Sequence, residues 1–182
     1  MSKIGKRPII IPAEVQLEQS AGQFLIKGPL GQLSFKPSAQ IEVLKEGDQL
    51  IIKPTVLNKT TRQLWGTNRA NLNNKIQGVK VGFTKELILE GLGYNAEIKA
   101  DKIIFKVGYS HTIELNIPIG LKIEVKQQKG FQIIRVEGID REKVGQFAAV
   151  IKKLRKADPY KLKGFRYVGE VIKRKAVKKV AK

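Results

Sequence analysis

The sequence predicts an α+β protein made of two tandem copies of one unit, each a small antiparallel sheet covered by one helix, followed by a basic C-terminal extension. Three observations carry that reading. IEVLKEGDQLIIK at 41–53 returns as IEVKQQKGFQIIR at 123–135. Short β-rich runs crowd the early part of each half, and a helical period of apolar residues closes each half. The offset of 82 sets Ile41, Glu42 and Val43 on Ile123, Glu124 and Val125, and Ile51, Ile52 and Lys53 on Ile133, Ile134 and Arg135. Carried outward, it sets Leu33 on Leu115, Phe35 on Ile117, Trp65 on Phe147 and Leu72 on Leu154. Chance can match one tripeptide; apolar register kept over some forty residues indicates an internal duplication.

In the first copy the runs 23–27, 31–36, 41–45 and 49–53 are rich in Ile, Leu and Phe, and GPLG, PSA and KEGD separate them as turns. The second copy has the corresponding runs 102–107, 112–117, 121–126 and 131–136, separated by GYS, PIG and QQKG. IKADKIIFKV and IEVKQQKGFQIIRV alternate in part, as half-buried antiparallel strands do. The first helix starts at an Asn58 cap, turns Thr61, Leu64, Trp65, Asn68, Leu72 and Ile76 inward, and ends at Gly78. The second starts at an Asp140 cap, with Val144, Phe147, Ala148, Ile151 and Leu154 inward. The apolar junction FTKELILEGLGYNAEI reads as an extended strand and turn with little freedom. The expected boundaries are 1–82, 83–172 and a basic tail at 173–182.

The chain has a formal net charge of +19. Residues 1–82 hold 12 basic and 5 acidic side chains, 83–140 hold 8 of each, and 141–182 hold 15 and 3. Such an asymmetric excess implies a polyanionic partner. The absence of cysteine excludes disulfides and thiolate metal sites and fits a reducing compartment. No apolar run approaches a membrane span, and MSKIGKRPIIIP lacks the apolar core and cleavage site of a signal peptide, so no membrane partner is expected.

Catalytic chemistry is thinly represented. His111 is the only histidine, and Ser110 beside it points away on a strand or tight turn; His111 reads as a turn residue making one hydrogen bond. The carboxylates are dispersed, so neither a metal nor a cofactor is expected. The GLG of EGLGY reads as a turn. Trp65 reads as core, and the Asn-rich helix around Arg62 and Arg69 as a solvated face or a polar contact.

DPYKLKGFRY at 158–167 differs from an ordinary charged tail. Asp158-Pro159 ends the second helix, and Gly164 lets the backbone turn sharply. With Tyr160, Phe165 and Tyr167 anchoring or stacking, Lys161, Lys163 and Arg166 would project as a fixed constellation suited to RNA phosphates. A membrane-surface helix is incompatible with the proline and glycine.

DPYKLKGFRYVGE resembles the C-terminal segment of the family of the large-subunit ribosomal protein numbered six. The resemblance continues through SKIGKRPI, IKGPLGQL, LWGTNRANLNN, GFTKELILEGLGY, GYSHTIE and GIDREKVGQFAA. Departures are Leu162 where the family usually has glycine, with Leu30, Ala157 and Phe165 also altered. The resemblance implies a duplicated α+β structural protein, no catalysis, and binding to large-subunit (23S-type) rRNA through the C-terminal domain. It implies a place near the sarcin–ricin loop and the stalk base, beside other ribosomal proteins and close to docking translation factors. The ribosome would be cytoplasmic or that of an organelle. The implied contacts are Tyr160, Lys161, Lys163, Gly164, Arg166 and Tyr167. The surrounding cations Lys153, Arg155, Lys156, Lys173, Arg174 and Lys175 complete the expected surface. The rival class, a free-standing RNA-binding or RNA-modifying protein, requires catalytic residues or a cofactor site that the chain does not display.

Overall fold

The computed structural model describes residues 2–20, 22–128 and 130–176, and the fold is α+β with antiparallel sheets. The chain divides into two compact units. The first comprises Met1–Phe83 and Ile139–Arg141; the second comprises Thr84–Gly138 and Glu142–Lys182.

The first unit contains β1 (Ile9–Ile10), β2 (Gln16–Ser20), β3 (Gln23–Gly28), β4 (Gly31–Phe35), β5 (Ile41–Glu46), β6 (Gln49–Pro54) and α1 (Lys59–Lys80). The strands form two three-stranded sheets, β1-β6-β5 and β2-β3-β4, where the sequence suggests one. Strands β1 and β2 are additions to the expected set. Both are edges without a clear apolar period: β2 is largely exposed, and β1 is two residues long with Ile9 buried and Ile10 exposed. Helix α1 packs against β3, β4, β5 and β6. Ile26, Leu50, Leu72 and Val79 are almost wholly buried there, and burying each such side chain contributes about 1.5–3 kcal/mol.

Asn58 caps α1 as expected, with a reciprocal capping box: its side chain accepts from the Thr61 amide at 2.8 Å, and the Thr61 hydroxyl accepts from the Asn58 amide at 2.9 Å. The helix does not end at Gly78 but runs to Lys80. Gly78 serves close approach: a Cβ there would collide with the Ile139 carbonyl. The stop comes from Gly82, which takes φ +79° and donates its amide to the Gly78 carbonyl at 3.0 Å. Trp65 is core, 7% exposed, and its indole N–H donates to the Ile52 carbonyl at 2.6 Å. Asn68 is neither solvated nor free for a partner. It is buried, and its amide joins the Ser38 hydroxyl at 3.0 Å and the Leu64 carbonyl at 2.8 Å.

The second unit contains β7 (Phe83–Glu90), β8 (Asn95–Lys99), β9 (Lys102–Lys106), β10 (Ile113–Asn116), β11 (Leu121–Gln128), β12 (Phe131–Gly138), α2 (Arg141–Leu154) and β13 (Gly164–Tyr167). These make a three-stranded sheet β10-β9-β8 and a four-stranded sheet β11-β12-β7-β13. The duplication is visible in the register: Val43 stands opposite Ile52, and Val125 stands opposite Ile134, the same pair moved by 82. Helix α2 begins directly after Asp140 and buries Val144, Phe147, Ala148 and Ile151. One inner position has changed chemistry. Gln132 stands where the first copy has Leu50; it is 7% exposed, accepts from the Ala96 amide at 2.7 Å and donates to Asn95 at 2.7 Å. A buried amide is tolerated because its hydrogen bonds are made.

Candidate nucleic-acid interface

The segment after α2 is a closed loop followed by a strand. Phe165 donates its amide to the Arg155 carbonyl at 2.8 Å, Asp158 to Lys163 at 2.9 Å, and Leu162 back to Asp158 at 2.8 Å. The Asp158 carboxylate accepts the Tyr160 amide at 2.9 Å. Lys175 donates its amide to the Pro159 carbonyl at 3.1 Å, which brings the described part of the tail back onto the loop. The backbone of this stretch is therefore closed by its own hydrogen bonds.

Two residues hold unusual backbone. Gly164 has φ +129°, and a Cβ on it would lie 2.7 Å from the carbonyl oxygens of both Arg155 and Lys156. Both the torsion and the space demand glycine. Leu162 has φ +61°, the left-handed region that L side chains resist. The position where the resembled family usually has glycine is thus one where this backbone would favour it.

The second half of DPYKLKGFRY is not loop but β13, paired antiparallel with β7: Gly164 with Glu90, Phe165 with Leu89, Arg166 with Ile88 and Tyr167 with Leu87. Alternation splits the aromatic and basic residues between faces. Phe165 is fully buried edge-on to Phe105, with ring centroids 5.4 Å apart. Tyr167 lies on the same face, with Lys152 Nζ 4.5 Å and Lys85 Nζ 5.7 Å from its ring centre. Arg166 turns to the other face and donates to Glu90 at 2.9 Å. On that face Lys122, Lys126, Arg135 and Arg166 are matched by Glu86, Glu90, Glu124 and Glu137, so it carries no net charge.

The expected contacts therefore fall into groups. Lys153, Arg155, Lys156, Tyr160, Lys161, Lys173, Arg174 and Lys175 are exposed, and Lys163 is half-buried. Arg155, Lys156 and Tyr160 through Gly164 share one closed loop. Arg166 and Tyr167 are half-buried and engaged within the unit. Residues 177–182 of the expected tail lie outside the described residues.

Several neighbours escaped the sequence reading. Glu170 receives Lys152 Nζ at 2.7 and 2.6 Å and the Tyr167 amide at 2.9 Å, and these bonds, the lysine's first, hold its carboxyl below the usual range. Arg155 lies over the Tyr109 ring at 5.2 Å; hydrogen bonding to Tyr109 and then Tyr94 raises its pKa above the ordinary guanidinium value. His111 stacks on Tyr109, with centroids 6.0 Å apart and planes within 20°. The GYSHT turn, with aromatic residues beside glycine, was the only signal of this cluster in the sequence. Among the described residues, no group of three or more His, Asp or Glu is placed to hold a metal ion, and no helix is long and apolar enough to cross a membrane.

Comparison with known proteins covers the same region and the rest of the chain. A family model described as Ribosomal protein L6 matches residues 90–168, which run from Glu90 on β7 to just past β13. The large ribosomal subunit protein uL6 of Dictyoglomus thermophilum is 45% identical over 179 residues, 98% of each chain. That of Persephonella marina is 45% identical over 183 aligned residues, the whole of both chains. That of Caulobacter vibrioides is 39% identical over 179 residues, 98% of this chain and 99% of its own. A relationship of that extent decides the matter: the chain belongs to the ribosomal protein L6 family.

Proposed function

We propose that this protein is a structural, non-enzymatic constituent of the large ribosomal subunit that binds large-subunit rRNA chiefly through the domain at 83–172, with 1–82 as the other domain and 173–182 as a basic tail. It stabilises rRNA folding near the sarcin–ricin loop and stalk base during translation, among neighbouring ribosomal proteins and close to translation factors. The ribosome concerned is that of the cytoplasm.

The observation that carries this reading is the glycine-locked loop. Arg155, Lys156, Lys161 and Lys163 stand on one short stretch of backbone closed by its own hydrogen bonds. A backbone fixed in advance loses little freedom on docking, so more of each charge-assisted contact made from it appears as affinity. Residues 141–182 supply the long-range attraction through their 15 basic and 3 acidic side chains.

The test is fractionation followed by binding. The protein is expected in large subunits at near-stoichiometric amount after a high-salt wash. The isolated chain is expected to bind large-subunit rRNA with a log–log salt slope of about −4 to −7, as roughly five to eight phosphate contacts require. Replacing DPYKLKGFRY by a scramble of the same composition separates a positioned loop from a basic tail. Equal affinities of scramble and wild type at two salt concentrations would sink the positioned-loop reading.

A further inference from the structure

The connection between β9 and β10 presents its aromatic residues outward. Gly108 takes φ +79°, and the Tyr94 ring lies behind it, 3.1 Å from where a Cβ would sit. Tyr109 is 44% exposed, and its hydroxyl donates to the Leu154 carbonyl at 3.2 Å, pinning the ring at the end of α2. Arg155, the first residue of the cationic loop, covers the same ring at 5.2 Å. His111 extends the aromatic surface as a nearly parallel neighbour and is exposed. Among the described residues its imidazole makes no hydrogen bond, where the sequence suggested one, so polar satisfaction does not account for its place.

We propose that Tyr109 and His111, backed by Arg155, form a stacking platform for one unpaired nucleobase of the bound rRNA. The inference rests on the reading that the adjacent loop binds rRNA. Exposed aromatic and guanidinium planes accept any base through its π-face, and single-stranded loops and bulges supply such bases. Arg155 joins two functions in one residue: its backbone carbonyl closes the cationic loop through Phe165, and its guanidinium stiffens the platform. Phosphates on Lys156, Lys161 and Lys163 and a base on His111 would then belong to one short stretch of RNA.

The test measures binding of the full-length protein to purified large-subunit rRNA at two salt concentrations. His111→Ala changes only an exposed ring and is expected to weaken binding about five- to tenfold. The salt slope should stay at the wild-type value, because no phosphate contact is lost. Tyr109→Leu is expected to weaken binding further, whereas His111→Phe, which keeps the plane, should bind within about twofold of wild type. Wild-type affinity in His111→Ala overturns the platform, and so does a fall in salt slope or a loss in His111→Phe equal to that in His111→Ala. A wild-type protein that does not bind the rRNA at all sinks the functional reading, and the platform with it.

Discussion

The guanidinium of Arg166 meets the carboxylate of Glu90 at 2.9 Å across the β13–β7 pair. This cation is spoken for inside the unit, whereas Lys161 in the same ten-residue stretch is exposed. The two should respond differently to removal. Arg166→Ala is expected to lower stability by about 1–2 kcal/mol, as loss of a charged hydrogen bond does, while shifting the rRNA salt slope little. Lys161→Ala should leave the thermal midpoint unchanged and reduce the slope by about 0.7–0.9. Thermal melts and salt titrations of both variants check this; equal slope losses would place Arg166 at the RNA after all.

Backbone and space set a second expectation. Gly164→Ala forces a Cβ into the carbonyls of Arg155 and Lys156 at φ +129°, so it should cost about 2–3 kcal/mol or more and open the loop. Leu162 already occupies the left-handed region. There Leu162→Gly should be tolerated within about 0.5 kcal/mol, backbone relief offsetting lost burial, while Leu162→Val should cost about 1–2 kcal/mol. The order Gly, Leu, Val in denaturant midpoints checks the torsion.

The duplicated core gives a third. Trp65→Ala and Phe147→Ala should each cost about 3–5 kcal/mol, since both rings are nearly buried. Phe147→Ala should abolish rRNA binding through loss of its unit, and Trp65→Ala should spare most of it. A loss of affinity in Trp65→Ala as large as that in Phe147→Ala, with the second unit measured as folded in the Trp65 variant, would contradict binding chiefly through that unit.

Acid should loosen the C-terminal segment through Glu170. Its folded pKa is depressed by Lys152 and the Tyr167 amide, so its contribution is present above the unfolded value of about 4.3 and is lost as pH falls through the lower folded value. Glu170→Gln should therefore melt below wild type at pH 7, and the gap should close below pH of about 4. Melts across that range check the sign; a gap independent of pH would assign the effect to something other than this carboxylate.

Local signals made much of the fold legible. The repeated IEV and II positions reveal both hairpins because each pairs within a dozen residues, and Val43–Ile52 and Val125–Ile134 keep one register. The Asn58 cap was readable because Thr61 follows at the required spacing. Strand β13 was not, since GFRY looks like loop until its partner, 76 residues earlier, is known. The same distance hid the acid that holds Arg166. Composition displayed the cations of 152–166, but which of them are free depends on Glu90, Glu170, Tyr94 and Tyr109 being brought beside Arg166, Lys152 and Arg155. Glycine at 78 misled for a related reason: its role is contact with Ile139, which no local pattern reveals.

The antiparallel pairing of β7 with β13 makes the first strand of the second unit wait for its last. During synthesis β7 emerges long before β13, so the β7 edge stays open and the Arg155–Gly164 loop stays unclosed until Phe165 has been made. A chain broken off before Gly164 would carry Lys161 and Lys163 but neither the strand nor the Phe165 amide that closes their loop. Presentation of the closed cationic loop is thereby tied to the synthesis of β13, and a chain ended before it is expected to lack that surface.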